Sequence, residues 1–444
     1  MKKKSESVIK KSLLGILSAG VVLAGSVMPV FADEVEVQGS SLKSVGSFEK
    51  VYSLQAPSTV TASNFQSQAA SFQFTSGSSG EASTTVGEAT LTAVSHSHFN
   101  TDATAQQTLT ELQTAGKTVP TSADTQMFVY VGTINDSTKL FTPDISFVAG
   151  DAKLDETTKQ GTPKTVTIYV PSDYKFSYAG AYYYQFHEVQ GTTPGTTYNT
   201  STYTIRLVVE SQKDGDNITY QINPDKTEIT TTAVDQNNET KTVKVNSIEN
   251  YYGAGELKFT KNIAGTLGDT TQKFIIEVTL NNAAIDSGKP LGNIYASVNA
   301  SVEDTSATDI TTIPDDHLIS WNNGETKKFA VTDKTTYTLD NIPAGVTYTV
   351  SEYRSDSDTT AQQYEVSYTG TVLEKGKDDT ILSPENGSVT APMGKTQIHT
   401  ITITNTRDTQ LDTGVFTSNL PYFIILLAAA GGLVVFLVSK KHRA

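Results

Sequence analysis

Apolar and polar residues alternate along Thr202–Val209, Thr347–Tyr353 and Thr400–Asn405. A period of two is what a strand shows when one face is buried and the other is wet. Gly, Pro, Asn and Asp punctuate these stretches at predicted turns, and runs of helix formers are few. The pattern predicts an all-β protein of stacked sandwiches.

Within that pattern one unit occurs twice. Tyr182-Tyr183-Tyr184-Gln185-Phe186-His187-Glu188 follows Gly180-Ala181, and Val346-Thr347-Tyr348-Thr349-Val350-Ser351-Glu352 follows Ala344-Gly345. In each, the glutamate shares parity with the apolar residues before it. Alternate strand residues point to one face, so both glutamates are expected in the core. A lone buried carboxylate is costly unless it is protonated or paired. Two other stretches supply partners. Lys261 shares parity with Leu257 and Phe259, and Asn405 shares parity with Ile401 and Ile403. One segment of the chain thus places a Lys, a Glu and an Asn inside.

Composition narrows the functional classes. The net charge of −14 disfavours nucleic acid as a partner. There is no cysteine, so any covalent staple must come from other chemistry. No phosphate-cradling glycine loop, nucleophile elbow or CxxC motif occurs, which leaves conventional catalysis without support. His96 and His98 share a strand face but lack a third ligand. Neither they nor the Asp-bearing stretch Tyr353–Asp358 make a metal site, and no cofactor is expected.

The ends carry addresses. Lys2, Lys3, Lys4, Lys10 and Lys11 precede the apolar stretch Leu13–Val30, which closes on Val30-Phe31-Ala32. That reads as a secretory signal over 1–32, with a mature chain starting at Asp33. Near the other end, Gln410-Leu411-Asp412-Thr413-Gly414 precedes the apolar run Tyr422–Val438 and then Lys440, Lys441, His442 and Arg443. The run is about long enough to cross a bilayer core, and the basic tail suits its cytoplasmic side. The segment 410–444 resembles a Gram-positive sorting signal. The resemblance implies that a sortase cuts between Thr413 and Gly414 and passes the threonyl carboxyl to an amine. Gln410-Leu411 departs from the first two positions of LPxTG, a departure tolerated in pilus subunits.

Lys261-Asn262-Ile263-Ala264-Gly265, Pro343-Ala344-Gly345 through Glu352, and Ile403-Thr404-Asn405 resemble the C-terminal domain of streptococcal backbone pilins. The resemblance implies tandem immunoglobulin-like domains of Cna-B type, with an intramolecular Lys–Asn isopeptide bond in each. The expected organisation is an N-terminal sandwich over 33–254, with an insertion at Thr75–Asp124, and an isopeptide domain over 255–409. Lys261 and Asn405 would be joined with Glu352 as the catalytic acid. In an apolar core a lysine shifts toward the neutral amine and a carboxyl toward the acid. The acid is expected to donate to the Asn405 amide oxygen and relay protons as ammonia leaves, with proximity supplying much of the acceleration. A buried ion pair with a hydrogen-bonded Asn is the other arrangement these residues support.

For the N-terminal domain Glu188 is the matching glutamate. Asn250 is preferred to Asn246, because Ile248 and Tyr252 share its parity whereas Asn246 reads as exposed. Lys50, flanked at its own parity by Phe48 and Tyr52, is preferred to Lys117, which sits in a turn-like stretch. Absence of a bond in this domain stays open. The resemblance further implies a covalent head-to-tail polymer of this chain, made by sortase and joined to peptidoglycan on the cell wall. The receiving lysine would be Lys241 or Lys244, with Lys241 slightly favoured. The alternative is a monomeric wall-anchored adhesin or minor pilin that binds a host-surface ligand through its insert.

Overall fold

The computed structural model describes residues 34–37, 40–57, 64–76, 90–92, 95–97, 128–134, 141–153, 161–302 (save 173, 177, 178 and 216), 309–354 and 361–408. The secretory and sorting segments lie outside these residues, as do Lys117, His98, Thr413 and Gly414. Among the described residues no helix is long and apolar enough to cross a membrane.

Nearly every element is a strand, and the strands enclose two hydrophobic cores. The first core draws on residues from Val45 to Ala254, and the second on residues from Leu257 to Ile403. This is an all-β architecture with two cores packed between sheets. The first core is aromatic: Phe48 meets Phe74 edge-on at 5.4 Å and Phe186 at 6.1 Å between ring centroids. The second is built around the fully buried Trp321, with Phe259 stacked on Tyr337 at 5.3 Å.

One strand serves both cores. Ser247–Ala264 pairs in parallel with Ser40–Gln55 over its first half and with Gln397–Thr406 over its second. Its burial follows from these surroundings. From Phe259 onward buried and half-buried residues alternate, as on a strand with one wet face, whereas Ser247–Asn250 are all buried. The opposing sheets present Gly180–Glu188 to the first core and Thr347–Tyr353 to the second. In Thr347–Tyr353, Tyr348, Val350 and Glu352 are buried, and Thr349 and Ser351 between them are half-buried.

Thr75–Asp124, the stretch expected as an insertion, is described only at 75–76, 90–92 and 95–97. Its described strands pair with strands of the first core. Phe74–Ser76 and Ser95–Ser97 both pair with the Glu188 strand, and Thr90–Thr92 pairs with Phe128–Ile134. Three-residue strands show too little periodicity to be read as strands from sequence.

Candidate functional site: two buried Lys–Glu–Asn clusters

Parallel pairing fixes the first relationship. Lys261 lies opposite Ile403, so Asn405 is one same-face step further along the neighbouring strand. Lys50 lies opposite Ile248, which leaves Asn250 in the same offset. In both cases the lysine and the asparagine come from adjacent strands of one sheet, and the glutamate comes from the facing sheet.

In the C-terminal cluster Lys261 and Asn405 have no exposed surface. Lys261 Nζ is 2.6 Å from Glu352 Oε2, and Asn405 Nδ2 donates to Glu352 Oε1 at 3.1 Å. The carboxylate thus touches both the amine and the amide. Arg354 also donates to Oε1, at 3.2 Å, and is itself held by the Tyr364 carbonyl at 2.7 Å. The Lys261 ammonium sits 4.4 Å from the centre of the Phe274 ring. Burial pushes the lysine down to about 8, against the opposing pull of Glu352.

The N-terminal cluster repeats this arrangement with every member fully buried. Lys50 Nζ lies 2.8 Å from Glu188 Oε2 and 4.4 Å from the centre of the Phe72 ring. Asn250 Nδ2 donates to Glu188 Oε1, and Lys50 Nζ donates to Asn250 Oδ1. Burial lowers the Lys50 pKa, with Glu188 pulling the other way. Here the Asn199 backbone N–H donates to Glu188 Oε1 at 3.1 Å, where the second cluster has Arg354.

Two sequence expectations need correction. The acid O–H was expected to donate to the Asn405 amide oxygen. Instead the amide N–H donates to Glu352, and Asn405 Oδ1 has no hydrogen-bond partner. The reason is that Glu352 already accepts from Lys261 and Arg354, so it is placed as an acceptor. Asn246 is half-buried, not exposed, because the sheet has closed over the chain by Val245. It remains outside the cluster, four residues before Asn250. Phe72, Phe274, Asn199 and Arg354 are cluster members that sequence reasoning missed. Arg354 had a usable signal: two residues after Glu352, it shares that residue's face.

Lys241 and Lys244 both lie on Thr240–Lys244, a strand that pairs with Glu228–Val234 and is exposed along most of its length. They differ in surroundings. Lys241 is ion-paired with Asp235 and lies 3.6 Å from Glu239 Oε2, whereas Lys244 has no ion pair among the described residues. No group of His, Asp or Glu side chains among the described residues is arranged to hold a metal ion.

In sequence the chain is similar to a streptococcal pilin. Over 276 residues the chain is 25% identical to a pilin of Streptococcus pyogenes serotype M1, covering 61% of this chain and 70% of that one. Residues 255–407 match a family model described as a domain of unknown function, DUF7601. Among solved structures, the major pilin T3.2 of Streptococcus pyogenes serotype GAS13637 aligns at 17% identity and a TM-score of 0.39, covering 83% of this chain and 99% of that one. A second major pilin from Streptococcus pyogenes aligns at 17% identity and a TM-score of 0.38, over 84% of this chain and all of the other.

Proposed function

We propose that this chain is a structural subunit of a streptococcal-type pilus, that it forms an isopeptide bond in each sandwich, Lys50–Asn250 and Lys261–Asn405, and that it is then polymerised by sortase through Thr413. The observation that carries the reading is the repetition of one constellation. Two buried lysines each meet a glutamate from the facing sheet, and each glutamate also contacts an asparagine one step along the neighbouring strand. A buried ion pair needs no such asparagine; a condensation does.

The chemistry balances as follows. The lysine ammonium passes a proton to the glutamate it touches, giving an amine and an acid. The amine attacks the asparagine Cγ, and a rotation of the amide brings its oxygen toward the acid in the resulting tetrahedral adduct. The glutamate then delivers a proton to the amide nitrogen, and the C–N bond breaks. The products are a secondary amide and ammonia, with the remaining proton on the glutamate or carried off as ammonium. Both partners are held in packed strands, so little entropy is left to lose at the barrier. The reaction occurs once per bond.

The mature chain would divide into sandwiches at 33–254 and 255–409, follow a signal peptide and precede a sorting signal. Thr413 would be the acyl donor. Lys241 or Lys244 would be the acceptor, since both stand on an exposed strand while Lys50 and Lys261 are sealed in the cores. Repeated transfer gives an open head-to-tail fibre, finally joined to peptidoglycan. Wall extracts of the native host test this reading. An SDS-resistant ladder of regularly spaced bands is expected, and a single monomer band would contradict polymerisation.

A further inference from the structure

Between the two sandwiches runs a five-residue segment, Asn64–Gln68, whose alternate side chains face opposite ways. Phe65 and Ser67 turn into the N-terminal sandwich. Phe65 is fully buried in its core, and Ser67 exchanges backbone hydrogen bonds with Ala152 and Gly150 at 2.8 Å while its hydroxyl accepts from the Ala152 N–H. The intervening residues turn toward the C-terminal sandwich and bond to it at every position. Asn64 Nδ2 donates to Asp340 at 3.0 Å. Gln66 donates through its side chain to the Tyr295 hydroxyl.

The two remaining contacts are reciprocal. The Asn341 side chain binds the backbone of Gln66, donating to its carbonyl at 3.0 Å and accepting from its N–H at 3.4 Å. In the other direction the Gln68 side chain binds the backbone of Asn293, accepting from its N–H at 2.9 Å and donating to its carbonyl at 3.3 Å. Each amide thus does for its partner what a neighbouring strand would do, across the domain boundary. Asn341 is fully buried and Gln68 nearly so. A side chain on Gly292 would stand 2.4 Å from Gln68 Cδ, and Gly292 has a φ of +111°, so glycine is required there for the contact to close.

We infer that Asn64–Gln68 is a clasp that locks the two sandwiches into one rigid rod. The shared strand Ser247–Ala264 ties them along one line only and leaves bending about that line open. Domains in one chain move relative to each other unless the interface resists it. The clasp resists because breaking it strips the Asn341 and Gln68 amides of their cross-boundary bonds. The Asn341 Nδ2 bond to the Asn293 carbonyl and the Gln68 Nε2 bond to the Tyr252 hydroxyl would remain, but Asn341 Oδ1 and Gln68 Oε1 would lose the N–H groups they accept from. Elsewhere at the boundary the strand's own backbone is bonded to both sides, with the Gly253 N–H donating to Gly195 and the Ala344 N–H donating to Gly253, each at 2.8 Å. The inference does not depend on the isopeptide or polymer readings.

The absence of native cysteine permits a clean test. Spin labels on Thr219→Cys and Thr369→Cys, exposed positions in the two sandwiches, report the interdomain distance distribution in the full-length chain. One narrow peak is expected. Gln68→Ala with Asn341→Gly, the glycine keeping the positive φ of 64° at that site, should broaden it about twofold or more while the circular dichroism of the strands is retained. Should that pair fail to fold, Gln66→Ala with Gln68→Ala carries the same expectation. A distribution equally narrow in a folded variant would overturn the clasp, as would a broad one in the parent.

Discussion

Lys261 and Asn405 lie on adjacent parallel strands, one same-face step out of register, with Glu352 bridging them from the facing sheet. Lys50 and Asn250 hold the same offset beneath Glu188. Two cores that share little sequence have therefore arrived at one geometry. Its common feature is a carboxylate touching both an amine and a primary amide with water excluded.

Removing the bridge separates packing from chemistry. Glu352→Gln is nearly isosteric and can still hydrogen-bond to Asn405, but it is a far poorer proton acceptor. The variant is expected to fold and to lose the C-terminal bond alone, so it keeps the ammonia, about 17 Da, that the parent loses at that bond, measured against each chain's own sequence mass. A mass deficit in Glu352→Gln equal to the parent's would remove this residue from the mechanism. Glu188→Gln should act in the same way on the N-terminal bond, which makes the two losses independently countable.

Stability should follow the bond and not merely the ion pair. A Lys261–Asn405 bond would close a loop of more than 140 residues, tying Ser247–Ala264 to Gln397–Thr406. By analogy with disulfide loops of similar length, such a bond would contribute roughly 4–5 kcal/mol through the unfolded state. Lys261→Ala is expected to lower the melting temperature and open the C-terminal sandwich to protease. The readout is the rate at which residues 255–408 are cut in variant and parent.

A separate pH dependence sits at the domain boundary. Asp340 is buried beside Glu256, with Lys258, Asn64 and the paired Tyr295 around it. Burial and the nearby Glu256 carboxylate raise its pKa to about 6, against the opposing pull of the Asn64 hydrogen bond and Lys258. A carboxyl raised above its unfolded value favours the protonated folded state. Its contribution is fully present below about pH 4 and is lost as the pH rises through about 6. Asp340→Asn keeps an oxygen for Asn64 but carries no charge. Thermal melts should show the variant more stable than the parent by on the order of 2 kcal/mol near pH 7.5, and by little near pH 4.

Polymer formation should require the exposed strand Thr240–Lys244. Replacing Lys241 and Lys244 together by Arg keeps both charges but removes the acceptor amine. High-mass ladders should disappear while monomer remains on the wall. Single replacements then assign the acceptor. The ion pairs from Asp235 and Glu239 restrain Lys241 and leave Lys244 the freer amine. Ladders that persist in the double variant would place the acceptor elsewhere.

Much of this geometry was legible because strand periodicity maps sequence directly onto faces. Lys261, Glu352 and Asn405 each continue an alternating run, and all three side chains are buried. Lys50 between Phe48 and Tyr52 reads the same way. What parity cannot convey is partnership across long separations. Asn341 and Gln66 are 275 positions apart, and neither sits in a distinctive pattern. The amide orientation at Asn405 was also misjudged, since it depends on Arg354 adding a second cation to Glu352. The short strands within Thr75–Asp124 escaped because three residues give no period to recognise.

The most direct measurement is the intact mass of the folded, secreted chain, followed by sequencing of its crosslinked peptides. Two bonds predict a mass about 34 Da below the sequence value, one ammonia for each. The linked peptides should pair Lys50 with Asn250 and Lys261 with Asn405. A folded chain at its full sequence mass would contradict the account.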